Sequence, residues 1–553
     1  MTTLAEGTLI AIPDDFPVTW EDPEDERIFW FWDQMHHPHA VTPMTSSLDG
    51  PAFTEGFGRA CRALSMPFKT SEVRTWNYYL YFGDVPLKED ASEAAAREMR
   101  MAAQMMRRAP RIMEDWENVY LPQVMKLNAH LRDYDYASAS ASGLADLLGE
   151  SVEIRAQAWD LHFQTVMPAM GAATEFASLY EKTFGTPSGN EHYRMLQGFP
   201  NKSVEAGQAL FDIAQEVRSD SGLARLVAET PAADFLTRLE VTAPGKEMAA
   251  RLRVYLDEYG WRSDQFELMD ASWREDPSPV VGNLKAYLRD GAVDPKTEQS
   301  KAAAERERLV AGMLERAPDG AARQRLVTFH KMAQAYLPIQ ENHNFYIDQM
   351  NTVLLRRPIL EIGRRLAAAG AVSDRDDAFF LTVGEAQEAV LDPQPKWSDT
   401  VASRRAEMSR WSRVVPPQFL GTRPPPGPRQ DVVDRFWGLD REPSRDPKVI
   451  TGHGASAGVL TGTAKVVRSL GEADKLDQGD ILVCEMTMPP WTPLFSIVGA
   501  VVADSGGVLS HCAIVAREYG IPCVTGTRVG TQRIKDGQTL IVDGARGIVR
   551  IEG

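Results

Sequence analysis

The chain has 553 residues, which is long for one domain and predicts about two to four. Apolar residues make up 43% and charged residues 25%, a balance that excludes a disordered chain, a collagen-like fibre and a small disulfide scaffold. Asp and Glu outnumber Lys and Arg by 77 to 60, so the formal charge is −17, which excludes nucleic acids and anionic membranes as main partners.

Four cysteines in a chain of this length indicate reduced thiols. The first residues lack a basic leader followed by an apolar segment, and no stretch holds the ~20 apolar residues that a membrane helix requires. We therefore expect a cytoplasmic protein without a membrane partner.

Residues 1–415 are predicted to be mostly α-helical. Good helix formers dominate six segments, at 92–108, 205–218, 245–258, 299–317, 321–336 and 351–369. Gly370 is suited to end the last of these helices, and Pro358 predicts a kink or a break inside it. Residues 416–448 are predicted to form a linker, because prolines cluster at their start and stiffen the chain.

The composition changes at Val449, where short runs typical of β-strands begin to alternate with turns. These runs lie at 462–467, 480–484, 500–503, 539–542 and 548–551. One helix is predicted to begin near Ser510. The fold class is therefore multidomain, with a mostly α-helical region over 1–415 followed by a compact α/β domain over 449–553.

The segment 504–527 carries the most chemical information. A predicted strand ends at Gly506 and Gly507, Ser510 is the predicted N-cap of a helix, and His511 lies in its first turn. A helix N-terminus stabilises an anion, glycines allow close backbone approach, and neutral imidazole is a nucleophile near pH 7. The pattern favours a histidine that accepts a phosphoryl group, although a histidine after a turn is more often a capping or surface residue.

The run at 506–518, GGVLSHCAIVARE, resembles the phosphohistidine signature of the phosphoenolpyruvate-utilising enzymes, and the similarity covers 449–553. The resemblance implies a swivelling domain in which an exposed His511 carries phosphate. Supporting residues would be Gly506, Gly507, Ser510, Arg517 and Glu518. For Arg517 and Glu518 a solvated surface pair is the alternative, and Cys512 is expected to be a small packed residue.

Parts of the helical region resemble the substrate-binding part of rifampicin-phosphotransferase-like proteins, at 15–23, 36–43, 77–83, 341–346 and 376–381. The candidate acceptor-binding residues are His37, His39, Trp76, Tyr78, Glu341, His343 and Tyr346. For the histidines and aromatics a structural role is the alternative. Relatives often carry a basic residue before the glutamate, whereas this chain has Gln340.

No metal site is predicted. The histidines of His36-His37-Pro38-His39 lack the i, i+4 spacing of a helical metal pair, and Pro38 disfavours a helix there. A role in lining the acceptor site or in deprotonating a hydroxyl group is the alternative to a structural role.

The resemblance implies a dikinase that converts ATP, an acceptor and water into AMP, orthophosphate and a phosphorylated acceptor. In single-chain relatives an ATP-grasp domain precedes the helical part, whose motifs begin here by residue 15. We therefore expect Mg-ATP to bind a separate ATP-grasp subunit, with no cofactor bound stably by this chain.

The expected acceptor is a small hydroxylated molecule, with a phenol as the leading candidate. Two alternatives remain. One is a component of a rifamycin-type antibiotic phosphotransferase, and the other is a non-catalytic regulatory or scaffold subunit that has kept the fold.

Overall fold

The computed structural model describes residues 7–289, 291–425, 437–438 and 443–552. These residues form two compact units. The first unit contains 7–168, 265–270 and 346–425, and the second contains 169–264, 271–345 and the described residues after 426. The region predicted as one helical part over 1–415 is thus divided between the two units. Within the described ranges, no helix is both long and apolar enough to cross a membrane.

The first unit contains an antiparallel sheet that the sequence did not predict. Over the part of the chain described here it has five strands, in the order Thr8–Leu9, Phe419–Arg423, Phe29–Trp32, Tyr79–Pro86 and Phe68–Trp76. Asn77 and Tyr78 join the last two strands with φ of 51° and 68°, the positive values of a tight hairpin turn. The sheet carries an aromatic core that includes Trp30, Trp76 and Tyr81.

Helices complete the first unit. They include Pro43–Leu64, Ala91–Arg108, Leu121–Arg132, Met350–Ala368, Val383–Leu391 and Lys396–Trp411. Met350–Ala368 continues through Pro358, so the chain does not break there, and Gly370 follows its C-cap with φ of 73°. The long helix Ala141–Phe184 contributes residues to both units.

The predicted linker 416–448 is corrected in part. Phe419–Arg423 is a strand that pairs with Phe29–Trp32, because its apolar residues complete the sheet. Residues 426–436 and 439–442 of this interval lie outside the described residues.

The second unit combines helices with the C-terminal sheet. Its helices before residue 345 include Lys202–Ser219, Ser221–Glu229, Ala243–Tyr259, Ser278–Tyr287, Pro295–Arg316, Ala321–Ala333 and Tyr336–His343. Together with Ala91–Arg108 and Met350–Ala368, these elements confirm the six predicted helices to within a few residues at each end.

The C-terminal sheet confirms the predicted α/β character of that part. Among the described residues it has eight strands, in the order Val449–Thr451, Ile548–Glu552, Thr539–Asp543, Val459–Val466, Ile481–Cys484, Ala500–Ala503, Cys523–Thr525 and His453–Ser456. The four strands from Val459–Val466 to Cys523–Thr525 are parallel to one another. The helix His511–Glu518 lies between two of these parallel strands in the chain, so its N-terminus follows the carboxyl end of Ala500–Ala503.

Candidate functional site

His511 is the first residue of the helix His511–Glu518. Ser510 is its N-cap, and the Ser510 hydroxyl accepts a hydrogen bond from the Ala513 N–H. This confirms the predicted cap, and Gly520, with φ of 66°, follows the C-terminus. The cap fixes the backbone immediately before the histidine, so the start of the helix determines where the imidazole lies.

The glycine pair serves this cap. Gly506 has φ of 90°, and a Cβ atom placed on it would lie 2.8 Å from the Cβ and Oγ atoms of Ser510. The carbonyl of Gly507 accepts a hydrogen bond from the Ser510 N–H. The turn can therefore close against Ser510 only with glycine at position 506. This role of Gly506 is structural and does not depend on a bound phosphate.

The two nitrogens of the His511 ring have different neighbours. Nδ1 lies 2.9 Å from Oε1 of Glu341, and Nε2 lies 3.5 Å from the hydroxyl of Thr492. The Thr492 hydroxyl donates its proton to the Pro489 carbonyl at 2.9 Å. If Glu341 is ionised, Nδ1 must carry the proton, which leaves the lone pair on Nε2.

Glu341 is buried, with 3% of its side chain exposed, and its charge is compensated on several sides. Ser203 donates its hydroxyl proton to Oε2 at 2.5 Å. Burial alone would raise the pKa of this carboxyl, but the charge and hydrogen bond of His511, the hydrogen bond of Ser203 and the charge of Arg262 together lower it. Glu341 is therefore a carboxylate at neutral pH and fixes the Nδ1–H tautomer.

One helix holds both the ring and the loop before it. Tyr336–His343 supplies Glu341 to the imidazole, and the Tyr336 hydroxyl donates to the carbonyl of Leu509 at 2.9 Å. The N-terminus of a second helix, Lys202–Ser219, contacts this helix, because the Lys202 N–H donates to the Asn342 side-chain oxygen at 2.9 Å. His511 is held in one orientation by elements distant in the chain.

The expectation of an exposed histidine is corrected. Only 9% of the His511 side chain is exposed, because Glu341 and Thr492 cover it. Cys512 is buried as expected, with its sulfur 3.7 Å from that of Cys523.

Arg517 does not form a solvated pair with Glu518, which was the alternative to a role beside His511. It is 4% exposed, and its guanidinium donates to the carbonyls of Ala455 and Val508, each at 2.9 Å. Arg517 thus supports the loop that leads to His511 by holding its backbone. Burial and the nearby charge of Glu341 raise the pKa of Glu518 to about 8, so this carboxyl is largely protonated at neutral pH.

The candidate acceptor residues fall into both units. Glu341 and His343 belong to the second unit, and His37, His39, Trp76, Tyr78 and Tyr346 belong to the first. The structure joins Glu341 to His511, whereas His343 is buried with Nδ1 2.7 Å from the Ile339 carbonyl. Glu341 therefore belongs to the site around His511, whereas His343 makes a hydrogen-bond contact within its own helix.

Within the first unit, Trp76 and Tyr78 have structural contacts. The Trp76 indole donates to the Thr19 carbonyl at 3.1 Å inside the aromatic core. The Tyr78 hydroxyl donates to Glu407 at 3.2 Å, and burial together with that carboxylate raises the pKa of the phenol to about 12. Both residues thus support the sheet and its neighbouring helix.

The remaining three candidates of this unit are spread over different surroundings. His37 is buried, His39 is exposed, and the ring of half-buried Tyr346 lies 6.3 Å from that of Trp116. His36, next to His37, has Nδ1 3.0 Å from Asp33, a pairing that fixes its ring within the loop.

Three residues around His511 were not singled out from the sequence. Ser203 lies in the first turn of the helix that Asn201 caps. The cap is recognisable from the sequence, but it does not indicate that Ser203 contacts Glu341. Thr492 lies in the run MPPWTP at 488–493, which resembles part of the family's swivelling domain. That resemblance was the signal from which a role for Thr492 could have been predicted. Arg262 lies in an irregular loop after the helix Ala243–Tyr259, where no motif identifies it.

Comparison with protein families matches the two parts that meet at this site. The family described as "Rifampicin phosphotransferase fourth domain" matches residues 161–341, which end at the glutamate. The family described as "PEP-utilising enzyme, mobile domain" matches residues 476–547, which include His511.

Two relatives match nearly the whole chain, and a third matches 71% of it. Chondramide synthase from Chondromyces crocatus is 34% identical over 99% of this chain, and the "Uncharacterized phosphotransferase YvkC" of Bacillus subtilis is 29% identical over 97%. A rifampicin phosphotransferase of Streptomyces sviceus is 28% identical over 71%. The chain spans 14%, 63% and 44% of the lengths of these three relatives.

Proposed function

Because the chain belongs to the PEP-utilising enzymes and resembles rifampicin phosphotransferase, we propose that it carries a phosphoryl group on His511 to a hydroxyl acceptor. The overall reaction would be that of a dikinase, in which ATP, acceptor and water give AMP, orthophosphate and phosphorylated acceptor. The observation that carries the proposal is the 2.9 Å contact between His511 Nδ1 and Glu341.

In the loading step, the Nε2 lone pair of His511 attacks the β-phosphorus of ATP, an N–P bond forms and the P–O bond to AMP breaks. Water then cleaves the γ-phosphate from the transferred pyrophosphoryl group, which releases orthophosphate and leaves one phosphoryl group on Nε2. The proton stays on Nδ1, where Glu341 accepts it in a hydrogen bond. The carboxylate stabilises the positive charge that develops on the ring, so the nucleophile is strengthened without a proton leaving.

In the transfer step, the oxygen of the acceptor hydroxyl attacks the same phosphorus and the N–P bond breaks. The ring recovers its lone pair and the hydroxyl proton passes to solvent. Burial of the His511 side chain supports this scheme, because a site that excludes water limits hydrolysis of the phosphohistidine.

Mg-ATP would bind an ATP-grasp partner, and His511 would have to visit both that nucleotide and the acceptor. Such a movement requires the C-terminal domain to swivel, which hinge motions of μs–ms allow. In the proposal the acceptor is a small hydroxylated molecule, and a phenol is our first candidate.

Reconstitution tests the proposal. The purified chain, an ATP-grasp protein of this family and ATP should phosphorylate an acceptor from a panel of phenols and aliphatic alcohols. His511→Asn should abolish the product, since the amide has no nucleophilic nitrogen. Product formation by His511→Asn at the wild-type rate would show direct transfer from the nucleotide and would reject the carrier role.

The same panel should include rifampicin. The match of residues 161–341 to the fourth domain of rifampicin phosphotransferase favours an antibiotic as the second candidate acceptor. Preferential phosphorylation of rifampicin over the phenols would support that candidate. An intact His511–Glu341 pair argues against the scaffold alternative, and the lack of any phosphorylated product or protein would support it.

A further inference from the structure

Arg262 is a buried cation with unused hydrogen-bonding capacity. It is 2% exposed, its Nε has no hydrogen-bond partner, and the one hydrogen bond given by its guanidinium among the described residues is a 3.4 Å contact to the Lys202 carbonyl. A guanidinium has five N–H donors, and leaving them unpaired in the interior is unfavourable. A residue of this kind is suited to receive an anion.

Two aromatic rings lie close to this guanidinium. Its centre lies 4.8 Å from the ring centroid of Phe345 and 5.9 Å from that of Trp273. Aromatic contacts stabilise a cation without accepting hydrogen bonds from its N–H groups, and these groups are the ones that pair with phosphate oxygens. The two rings thus stabilise the charge of Arg262 and leave its N–H donors available.

Arg262 acts on the carrier site through charge. It is one of the groups that lower the pKa of Glu341, the carboxylate that contacts His511, and burial lowers the pKa of Arg262 itself. An arginine stays protonated under such conditions. Its positive charge is therefore part of the same electrostatic environment as the His511–Glu341 pair.

Two other cations of this unit have partners of their own. Lys202 pairs with Glu205 at 2.7 Å, and Arg517 holds two backbone carbonyls. A phosphoryl group on His511 would add ≈ −1.5 to −2 charge beside the ionised Glu341. Once Nε2 carries phosphorus and Nδ1 keeps its proton, the ring is an imidazolium whose single positive charge is paired with Glu341. Another cation must therefore offset the charge on the phosphoryl oxygens.

We propose that Arg262 stabilises the phosphoryl group carried by His511, with the N–H edge of its guanidinium binding phosphoryl oxygens. This inference rests on the proposed function and adds an anion-binding residue to it. Arg262 then supplies, from the loop after Ala243–Tyr259, positive charge that Gln340 does not provide next to Glu341.

The test compares Arg262→Gln, which removes the charge, with Arg262→Lys, which keeps it. The rate of His511 labelling per folded chain should fall by about 10²-fold in the glutamine variant, as when one preorganised donor is lost. The lysine variant should recover at least a tenth of the wild-type rate. The KM for ATP should not change, because the nucleotide binds the partner.

Arg274→Gln is the matched control. Arg274 belongs to the same loop region, stacks on Trp261 at 4.4 Å and pairs with Asp257 at 2.9 Å, and it is not among the main groups that lower the pKa of Glu341. Its substitution should leave the labelling rate within about twofold.

Chemical rescue separates an electrostatic role from a structural one. Arg262→Ala should regain labelling of His511 when millimolar guanidinium is added. This rescue tests the electrostatic role even if the lysine variant does not fold. Equal rates for wild type and Arg262→Gln would overturn the inference while leaving the carrier role of His511 intact. Loss of labelling that neither lysine nor guanidinium restores would also overturn it.

Discussion

The Glu341 carboxylate lies 2.9 Å from Nδ1 of His511, although 170 residues separate the two in sequence. The contact joins the end of the segment that matches the rifampicin phosphotransferase domain to the helix that matches the mobile domain. It directs the Nδ1–H of the imidazole at the carboxylate and leaves Nε2 as the nucleophilic nitrogen.

Glu341→Gln should preserve the shape of this contact and remove its charge. The amide can donate to Nδ1 as well as accept from it, so the ring is no longer held in one tautomer, and phosphorylation of the acceptor should fall by about 10²–10⁴-fold. Steady-state assays of the reconstituted system measure this. A wild-type rate in the variant would mean that the carboxylate does not activate the histidine.

His511→Ala should destabilise the protein, in contrast to the exposed residue that the motif suggested. The substitution leaves the buried Glu341 without its main partner, at an expected cost of about 1–3 kcal/mol. Urea unfolding measures the difference. In a double-mutant cycle with Glu341→Gln, the two effects should be non-additive, and strict additivity would contradict the pairing.

Ser510→Ala should lower the free energy of unfolding by about 0.5–1 kcal/mol through loss of the N-cap. It should also slow labelling of His511, because the start of the helix is less well fixed. Ser469→Ala is the control, since Ser469 precedes a short 3₁₀ helix without a side-chain cap hydrogen bond. Equal effects of the two substitutions would contradict a specific role of the cap.

Glu518→Gln should change how stability depends on pH. The folded-state pKa of about 8 lies above that of an unfolded glutamate, so the folded protein holds this proton over an interval in which the unfolded chain releases it. Stability should therefore fall as pH rises from about 4.5 to 8, by at most ~1.4 kcal/mol per pH unit. Thermal melts from pH 5 to 9 should show a shallower decline in the variant, and identical profiles would contradict the raised pKa.

Local features of the carrier helix were predictable from the sequence. Ser510 as N-cap and Gly520 beyond the C-terminus follow from side-chain hydrogen bonding and from φ > 0, which act within a few residues. The strand Ala500–Ala503 was predicted at its observed bounds because its residues form a short apolar run. Such signals do not depend on the rest of the chain.

Features that depend on distant residues were not predictable in this way. Glu341 was a candidate for acceptor binding, but no local signal connects it to His511 or to Ser203. Arg517 reads as a surface residue in a helical pattern, and only its contacts with Ala455 and Val508 reveal why it is buried.

The sheet of the first unit was missed for a related reason. The aromatic-rich segment around Trp76 and Tyr81 does not by itself indicate a sheet, since large aromatics are common in the cores of helical and of sheet-containing domains. The positive φ of Asn77 and Tyr78 marks the hairpin, and Asn is a common turn residue while Tyr is not. Phe419–Arg423, far along the chain, completes the sheet.

The chemical identity of the phosphorylated residue is the most direct test of the carrier role. The chain can be exposed to ATP with an ATP-grasp protein, or to phosphoramidate, a small phosphoryl donor that needs no partner, and then examined by ³¹P NMR and peptide mass spectrometry. We predict one acid-labile, base-stable phosphate per chain on Nε2 of His511, absent from His511→Asn. An acid-stable phosphate on another residue, or labelling that persists in His511→Asn, would contradict the account.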